Sequence, residues 1–248
     1  MKETISSRQN ETVQLMRRLA GSAKERRETG LFVAEGVRVA EQAAAGGARL
    51  RALLCTRSAW EKWAGRLAAL EAQAVRAAVI SQPVSGALGQ TDSPQGVFGL
   101  FERPARGRRA EDPPGRLLLC SMQDPGNVGA VLRCCAAWGV EAVLSADCPD
   151  LYGPKVLRAA AGAVFGAPVR IVEDMKTEIA RLKSGGTPVF AAALDPAARP
   201  VGEVTLAGAA VAIGNEGGGL PPELVGACDA AVVLPISAGC ESLNAAVA

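Results

Sequence analysis

The chain has 248 residues, 49% of them hydrophobic and 21% charged, and its 27 Lys+Arg against 25 Asp+Glu leave a formal charge of +2. That length holds one or two domains, and the near-balance of charge excludes a disordered polyelectrolyte. No apolar run reaches the roughly 18–20 residues that cross a bilayer, and residues 1–6 lack the apolar centre of a secretory signal, so a soluble, cytoplasmic protein without a membrane partner is expected.

The seven cysteines (Cys55, Cys120, Cys134, Cys135, Cys148, Cys228 and Cys240) are odd in number and show no C-x-x-C spacing. Most sit in apolar stretches, as small core residues of a reduced protein do. The chain has no histidine. Ser-His-Asp triads, Cys-His pairs and His-ligated zinc are therefore excluded, and chemistry that needs neither a metal nor an imidazole is expected.

Charge is uneven along the chain. Residues 1–116 carry 19 Lys+Arg and 12 Asp+Glu, whereas residues 117–248 carry 8 and 13. Arg17, Arg18, Lys24, Arg26 and Arg27 cluster in a polar, helical arm that precedes Leu31, and Arg103, Arg106, Arg108 and Arg109 follow later. Such a field attracts a polyanion such as nucleic acid, although a solvated Arg-rich surface fits charge alone equally well. Short apolar runs at 31–34, 52–55, 78–80 and 97–100 alternate with helical Ala/Leu patterns, so residues 1–102 read as a small α/β domain. Residues 103–116, with three Pro and two Gly and no apolar periodicity, read as a linker.

In 117–248 the alternation is cleaner. Strands are predicted at 117–120, 142–144, 169–172, 189–193, 209–213 and 231–234, with helices at 128–138, 155–164, 175–183 and 222–227. Continuous apolar strands alternating with helices imply a parallel sheet covered on both faces, whose ligands gather at the carboxyl ends of the strands. Three strand-to-helix loops follow from that. In Gln123-Asp124-Pro125-Gly126-Asn127, a turn sequence opens a helix that carries Arg133, and Asn127 sits as a cap or a ligand contact. In Gly214-Asn215-Glu216-Gly217-Gly218-Gly219, glycines let backbone N–H groups approach a ligand, but the spacing is neither a dinucleotide fingerprint nor a P-loop. In Leu234-Pro235-Ile236 through Glu241-Ser242-Leu243-Asn244, a small-residue loop leads to a helix predicted from about Glu241, which Ser242 and Asn244 could simply cap.

In order and spacing these loops resemble the three signature motifs of the SpoU (TrmH-type) RNA ribose 2′-O-methyltransferases of the SPOUT superfamily. The likeness extends to Lys155–Phe165, and to Gly30-Leu31-Phe32-Val33-Ala34-Glu35-Gly36 and Thr91-Asp92-Ser93-Pro94-Gln95-Gly96-Val97, which are similar to that family's substrate-binding domain. The resemblance implies an α/β fold, mainly a parallel sheet with a C-terminal trefoil knot, preceded by a small α/β RNA-binding domain. It implies S-adenosylmethionine as cofactor, held by Gly214, Leu234, Ile236 and Leu243 largely through backbone groups, and a homodimer that completes each site. Catalytic or substrate-orienting positions carried over are Asn127, Arg133, Glu216, Ser242 and Asn244. RNA would be held by Arg17, Arg18, Lys24, Arg26 and Arg27, ribosomal RNA being favoured over transfer RNA. Two features depart from the family: Cys134 replaces the small hydroxyl residue after the arginine, and the family's final helix continues several turns past the point where Ala248 stands. Either the sequence is a piece of a longer chain or its knot is abbreviated.

A free guanidinium ionises only above about pH 12.5, so Arg133 is expected to stabilise the developing alkoxide or clamp a phosphate rather than abstract a proton, with Asn127 orienting it. Glu216 would orient Arg133 or lie near the sulfonium. Two other readings remain: a catalytically silent RNA-binding protein of the same fold, and, far behind, a nucleotide-dependent oxidoreductase.

Overall fold

The computed structural model describes residues 2–91, 93–104, 117–215, 217–237, 239 and 243–248. Most of the expected linker (105–116), together with Glu216, Cys240, Glu241 and Ser242, lies outside the described residues. By packing, the chain forms two units, Met1–Arg106 with Asp150–Gly166, and Gly107–Pro149 with Ala167–Ala248.

The first unit contains β1 (Glu3–Ile5), α1 (Glu11–Gly21), α2 (Ala23–Thr29), β2 (Leu31–Glu35), α3 (Val37–Ala45), β3 (Arg49–Thr56), α4 (Arg57–Lys62), α5 (Ala64–Gln73), β4 (Arg76–Ile80), α6 (Gln82–Leu88) and β5 (Val97–Glu102). Its sheet runs β1-β4-β3-β5-β2, with β5 antiparallel to both β3 and β2 and the other pairs parallel. The strands predicted from the apolar runs are present; β1 is too short and polar to register as such a run. Helix α1 differs from the expected arm. Val13, Met16 and Leu19 make a stripe along one side of it and are fully buried against Leu54, Ile80 and Val84. Only the opposite, basic side of α1 faces water, so this helix is part of the domain.

The second unit holds β6 (Leu117–Cys120), α7 (Pro125–Trp138), β7 (Glu141–Ser145), β8 (Val169–Val172), α9 (Met175–Ser184), β9 (Val189–Ala192), β10 (Arg199–Pro200), β11 (Ala210–Ile213), α10 (Pro222–Val225) and β12 (Ala230–Val233), while α8 (Pro154–Ala159), between β7 and β8 in the chain, packs in the first unit. Its seven strands lie in the order β10-β12-β9-β11-β6-β7-β8 and every pair is parallel, as the alternation of apolar runs and helices predicts. Leu119, Val143, Ala191 and Ala212 of the central strands pack with Ile179 and Leu182 of α9 in the core.

Asp150–Gly166, read from sequence as part of the second domain, joins the first unit for identifiable reasons. The Tyr152 and Phe165 rings stand 4.9 and 5.6 Å from that of Phe32, which also stacks on Phe101 at 5.5 Å. Arg26 Nε donates to Asp150 Oδ2 at 2.6 Å, and its Nη1 donates to the Leu19 carbonyl. The helix predicted for 155–164 stops at Ala159, because Ala161 and Gly162 take the left-handed backbone (φ 48° and 87°) before a single 3-10 turn at Ala163–Phe165.

Arg170 on the edge strand β8 bridges Glu141 (2.8 Å) and Glu178, and Arg181 also donates to Glu178 at 2.6 Å. Burial alone would raise the Glu178 pKa, but hydrogen bonds from Arg181 and Arg170 and their charges overcome it and hold the carboxyl at about 2 instead of 4.5. A carboxyl whose pKa falls on folding stabilises the native state fully above its unfolded value and loses that contribution as pH drops through the folded one. Urea unfolding at pH 5 and pH 3 is therefore expected to show a larger fall in stability for the natural chain than for Glu178→Gln; equal falls would show that the cluster contributes nothing.

Candidate active site

The three loops singled out in the sequence leave the same end of one parallel sheet. Cys120, Ala192, Ile213 and Val232 lie in register across β6, β11, β9 and β12, so the chain turns off each strand at one level. Between β6 and β11 the chain's direction of travel across the sheet reverses, and such switch points open a crevice beyond the carboxyl ends of the strands.

From β6 the chain reaches α7 through residues 121–124. Asp124 is the N-cap: its Oδ1 accepts the Asn127 N–H at 2.9 Å, with Pro125 at the first helical position. That frees the Asn127 side chain from capping. Asn127 is 8% exposed, and its Oδ1 accepts a hydrogen bond from Asn244 Nδ2 at 2.9 Å, across 117 residues of chain. The Asn244 Oδ1 accepts the Ala246 N–H at 3.0 Å, so this one carboxamide pins the end of the chain to the first turn of α7. Leu243 and Asn244 lie in irregular backbone with a single hydrogen-bonded turn after them, in place of the helix predicted from about Glu241. Cys148 supports the first loop from the β7 side. Its Sγ accepts the Met122 N–H at 3.4 Å and donates to the Cys120 carbonyl at the same distance. The D-P-G-N order signals the Asp124 cap; nothing in the sequence signals the Cys148 bridge.

Arg133 lies six residues beyond Asn127, which on a helix is about 9 Å along the axis and about 120° away around it. It is exposed and has no hydrogen-bond or ion-pair partner among the described residues. The expected orientation of Arg133 by Asn127 is thus corrected, since the two side chains occupy different faces of α7 and Asn127 is engaged with Asn244. Of the remaining catalytic candidates, Glu216 and Ser242 lie outside the described residues.

The positions expected to hold a cofactor share one edge. Gly214 is buried where a Cβ would run into the Gly219 carbonyl and the Leu220 N–H, and the Asn215–Gly219 bridge closes this turn through hydrogen bonds of 3.0 and 2.7 Å. Only glycine tolerates that approach. Leu234, Ile236 and Leu243 remain 36%, 37% and 42% exposed, and the N–H groups of Ile236 and Ser237 have no hydrogen-bond partner among the described residues. Apolar side chains next to unused backbone donors suit a flat heteroaromatic ligand with a polar rim.

Residues 114–248 match the SpoU rRNA methylase family, and residues 10–99 match the MRM3-like substrate binding domain. The chain belongs to the SpoU rRNA methylase family. An uncharacterised tRNA/rRNA methyltransferase of Synechocystis is 32% identical over 99% of this SpoU chain and 90% of its own length. The 23S rRNA (guanosine(2553)-2′-O)-methyltransferase RlmP of Bacillus subtilis is 29% identical over 98% and 95%. Among solved structures, an AdoMet-bound rRNA methyltransferase from Sinorhizobium meliloti superimposes with a TM-score of 0.82 at 26% identity, covering 99% of this chain and 93% of that one.

The basic residues of this SpoU protein divide unevenly. Arg17, Arg18, Lys24 and Arg27 are exposed, Arg18 pairing with Glu25 at 3.0 Å and Lys24 with Glu28 at 3.8 Å. Arg26 is 5% exposed and its guanidinium is taken up by Asp150 and Leu19. Its expected role as an RNA contact is corrected to that of a structural clamp. Sequence could not separate it from Arg27, because only folding turns one of two adjacent arginines inward.

Replacing Asn244 with alanine would remove the carboxamide that donates to the buried Asn127 oxygen, a loss of about 0.5–1.5 kcal/mol. Hydrogen exchange should then quicken in residues 243–248 and in the first turn of α7, with β9 and β11 unaffected. Unchanged exchange in α7 would mean that the two carboxamides do not hold the site together.

Proposed function

We propose that this protein transfers a methyl group from S-adenosylmethionine to a ribose 2′-hydroxyl of RNA, ribosomal RNA in the first place. The observation that carries this reading is the meeting of the first and third motif loops at the Asn127–Asn244 hydrogen bond, on the sheet edge that also carries Gly214. When bound, the cofactor supplies an electrophilic methyl on a sulfonium. Gly214, Leu234, Ile236 and Leu243 would hold it, largely through backbone groups.

The chain's own task is alignment and charge stabilisation. Fixing two reactants in line can lower a barrier by up to about 7–11 kcal/mol. The bonded Asn127–Asn244 pair sets the floor of the site. Arg133 stabilises the oxygen as its proton passes to solvent, or grips the neighbouring phosphate, and works as a cation rather than a base. Glu216 and Ser242 complete the set as orienting groups.

Arg133 and Asn127 face different ways on one helix, which supports a site assembled from two copies of the chain, one giving the asparagine pair and the other the arginine. A homodimer also accounts for an apolar groove of about 570 Å³ in the second unit, lined by Leu117, Val211, Val232 and the 71% exposed Trp138. The family's C-terminal knot belongs to the same reading. The long parallel connections around β9, β11 and β12 are the part of the chain that would form it. Exposed Arg17, Arg18, Lys24 and Arg27 bind RNA phosphates. Among the described residues no helix is long and apolar enough to cross a membrane.

Incubation with labelled S-adenosylmethionine and ribosomal RNA should label ribose, and an RNA carrying 2′-deoxyribose at the target should stay unlabelled; label on a base would refute the reading. Arg133→Ala should lower kcat by about 10²–10³ with cofactor Kd near normal. Mixing Arg133→Ala with Asn127→Ala chains should restore part of the activity, and no restoration would place both residues in a single-chain site.

A further inference from the structure

We propose that a notch between α1 and the end of α6 binds one unpaired nucleotide of the RNA substrate, with Arg17 holding its phosphate and the carboxamides of Gln14 and Gln90 reading the edge of its base. This deepens, and rests on, the RNA-methyltransferase reading, because it names what the first unit recognises.

Gln14, Arg17, Arg18 and Gly21 fall at i, i+3, i+4 and i+7, so they share one side of α1, opposite the buried Val13–Met16–Leu19 stripe. With Ala87 and Gln90 they line a concavity of about 410 Å³. Pockets for small ligands run from roughly 300 to 1,000 Å³. Gly21 and Ala87 keep it open: a Cβ at Gly21 would meet nothing within 4 Å. The polar groups are prepared for a ligand. Gln14 Nε2 is engaged with the Arg8 carbonyl (2.9 Å) and Gln9 Oε1 (3.2 Å), which fixes the carboxamide and leaves its oxygen as an acceptor.

Gln90 is anchored through its backbone, whose N–H donates to Glu35 Oε2 at 3.0 Å. The same carboxylate accepts the Thr91 hydroxyl at 3.3 Å and pairs with Arg158 at 3.7 Å. The Gln90 side chain itself has no hydrogen-bond partner among the described residues, so it has a donor and an acceptor to offer. Arg18 is tied to Glu25, whereas Arg17 has no acidic partner among the described residues. One free cation beside two carboxamides matches a nucleotide better than a bare phosphate, since carboxamides pair with base edges and arginine with phosphate. The base must be unpaired, because side chains do not read the deep major groove of an RNA helix.

The full-length protein and a ribosomal RNA fragment that it binds test this, with anisotropy for Kd and methyl transfer for KM and kcat. Gly21→Leu, whose Cβ has open space and whose side chain would enter the notch, and Gln14→Ala/Gln90→Ala should each raise Kd and KM about tenfold, with the change in KM exceeding that in kcat. The double variant should also lose discrimination between RNAs that differ only at the recognised base. Arg17→Ala should weaken all RNAs alike and reduce the salt slope by about 0.7. Natural Kd and KM in both Gly21→Leu and the glutamine pair would overturn the assignment. So would competition by a polyaspartate peptide as effective as that by RNA, which would give the notch to an acidic protein. RNA binding that depends on these residues in a protein that methylates no RNA would leave the notch standing and sink the enzyme reading instead.

Discussion

Parallel pairing carries a geometric consequence on which the site depends. Seven strands that all run one way must deliver every strand-to-helix turn to the same edge, so residues as distant in sequence as Asp124, Gly214 and Leu234 emerge together. Pairing brings the loops to one edge; it does not fix them there. That last step falls to short polar contacts: the Asp124 cap on Asn127, the Cys148 thiol under Met122, and the Asn244 carboxamide on Asn127. Each ties a group on one loop to another part of the chain, so shifting a loop costs a hydrogen bond.

An enzyme without histidine that moves a methyl group has little acid–base chemistry at hand, and the site reflects that. Its buried pair, Asn127 and Asn244, is neutral and mutually bonded, suited to holding shape. Arg133, the cation proposed for it, is exposed. Burial pushes the Cys55 thiol up to about 12 and that of Cys135 up to about 11, which leaves these two poor nucleophiles. What the proposed arrangement offers a reaction is position and a positive charge.

Much of this was legible in the chain before folding. Apolar runs such as Leu117–Cys120 and Ala210–Ile213 announce buried parallel strands, because a strand covered on both faces keeps consecutive residues apolar and these runs are too short for a helix. The motif loops were legible because a tight turn leaves glycine and proline behind, as at Gly214, where a Cβ would run into the Gly219 carbonyl. Side-chain direction was not. Arg26 and Arg27 are indistinguishable as letters, yet the first is clamped by Asp150 and the second is in water. Nor could spacing reveal that residues 150–166 pack in the first unit, since that depends on the rings of Tyr152 and Phe165 finding Phe32. The expected arm proved to be a packed helix for a related reason. Its buried stripe, Val13, Met16 and Leu19, is only three residues wide among eleven and is outweighed in composition by the polar side.

The central claim is that three loops form one pocket for the methyl donor. Backbone amide spectra of the isotope-labelled protein, recorded as S-adenosylmethionine is added, test it most directly. The account predicts that resonances from 121–127, 214–219 and 234–244 shift together along a single binding curve. Shifts confined to one of these loops, or found only in the first unit, would contradict it.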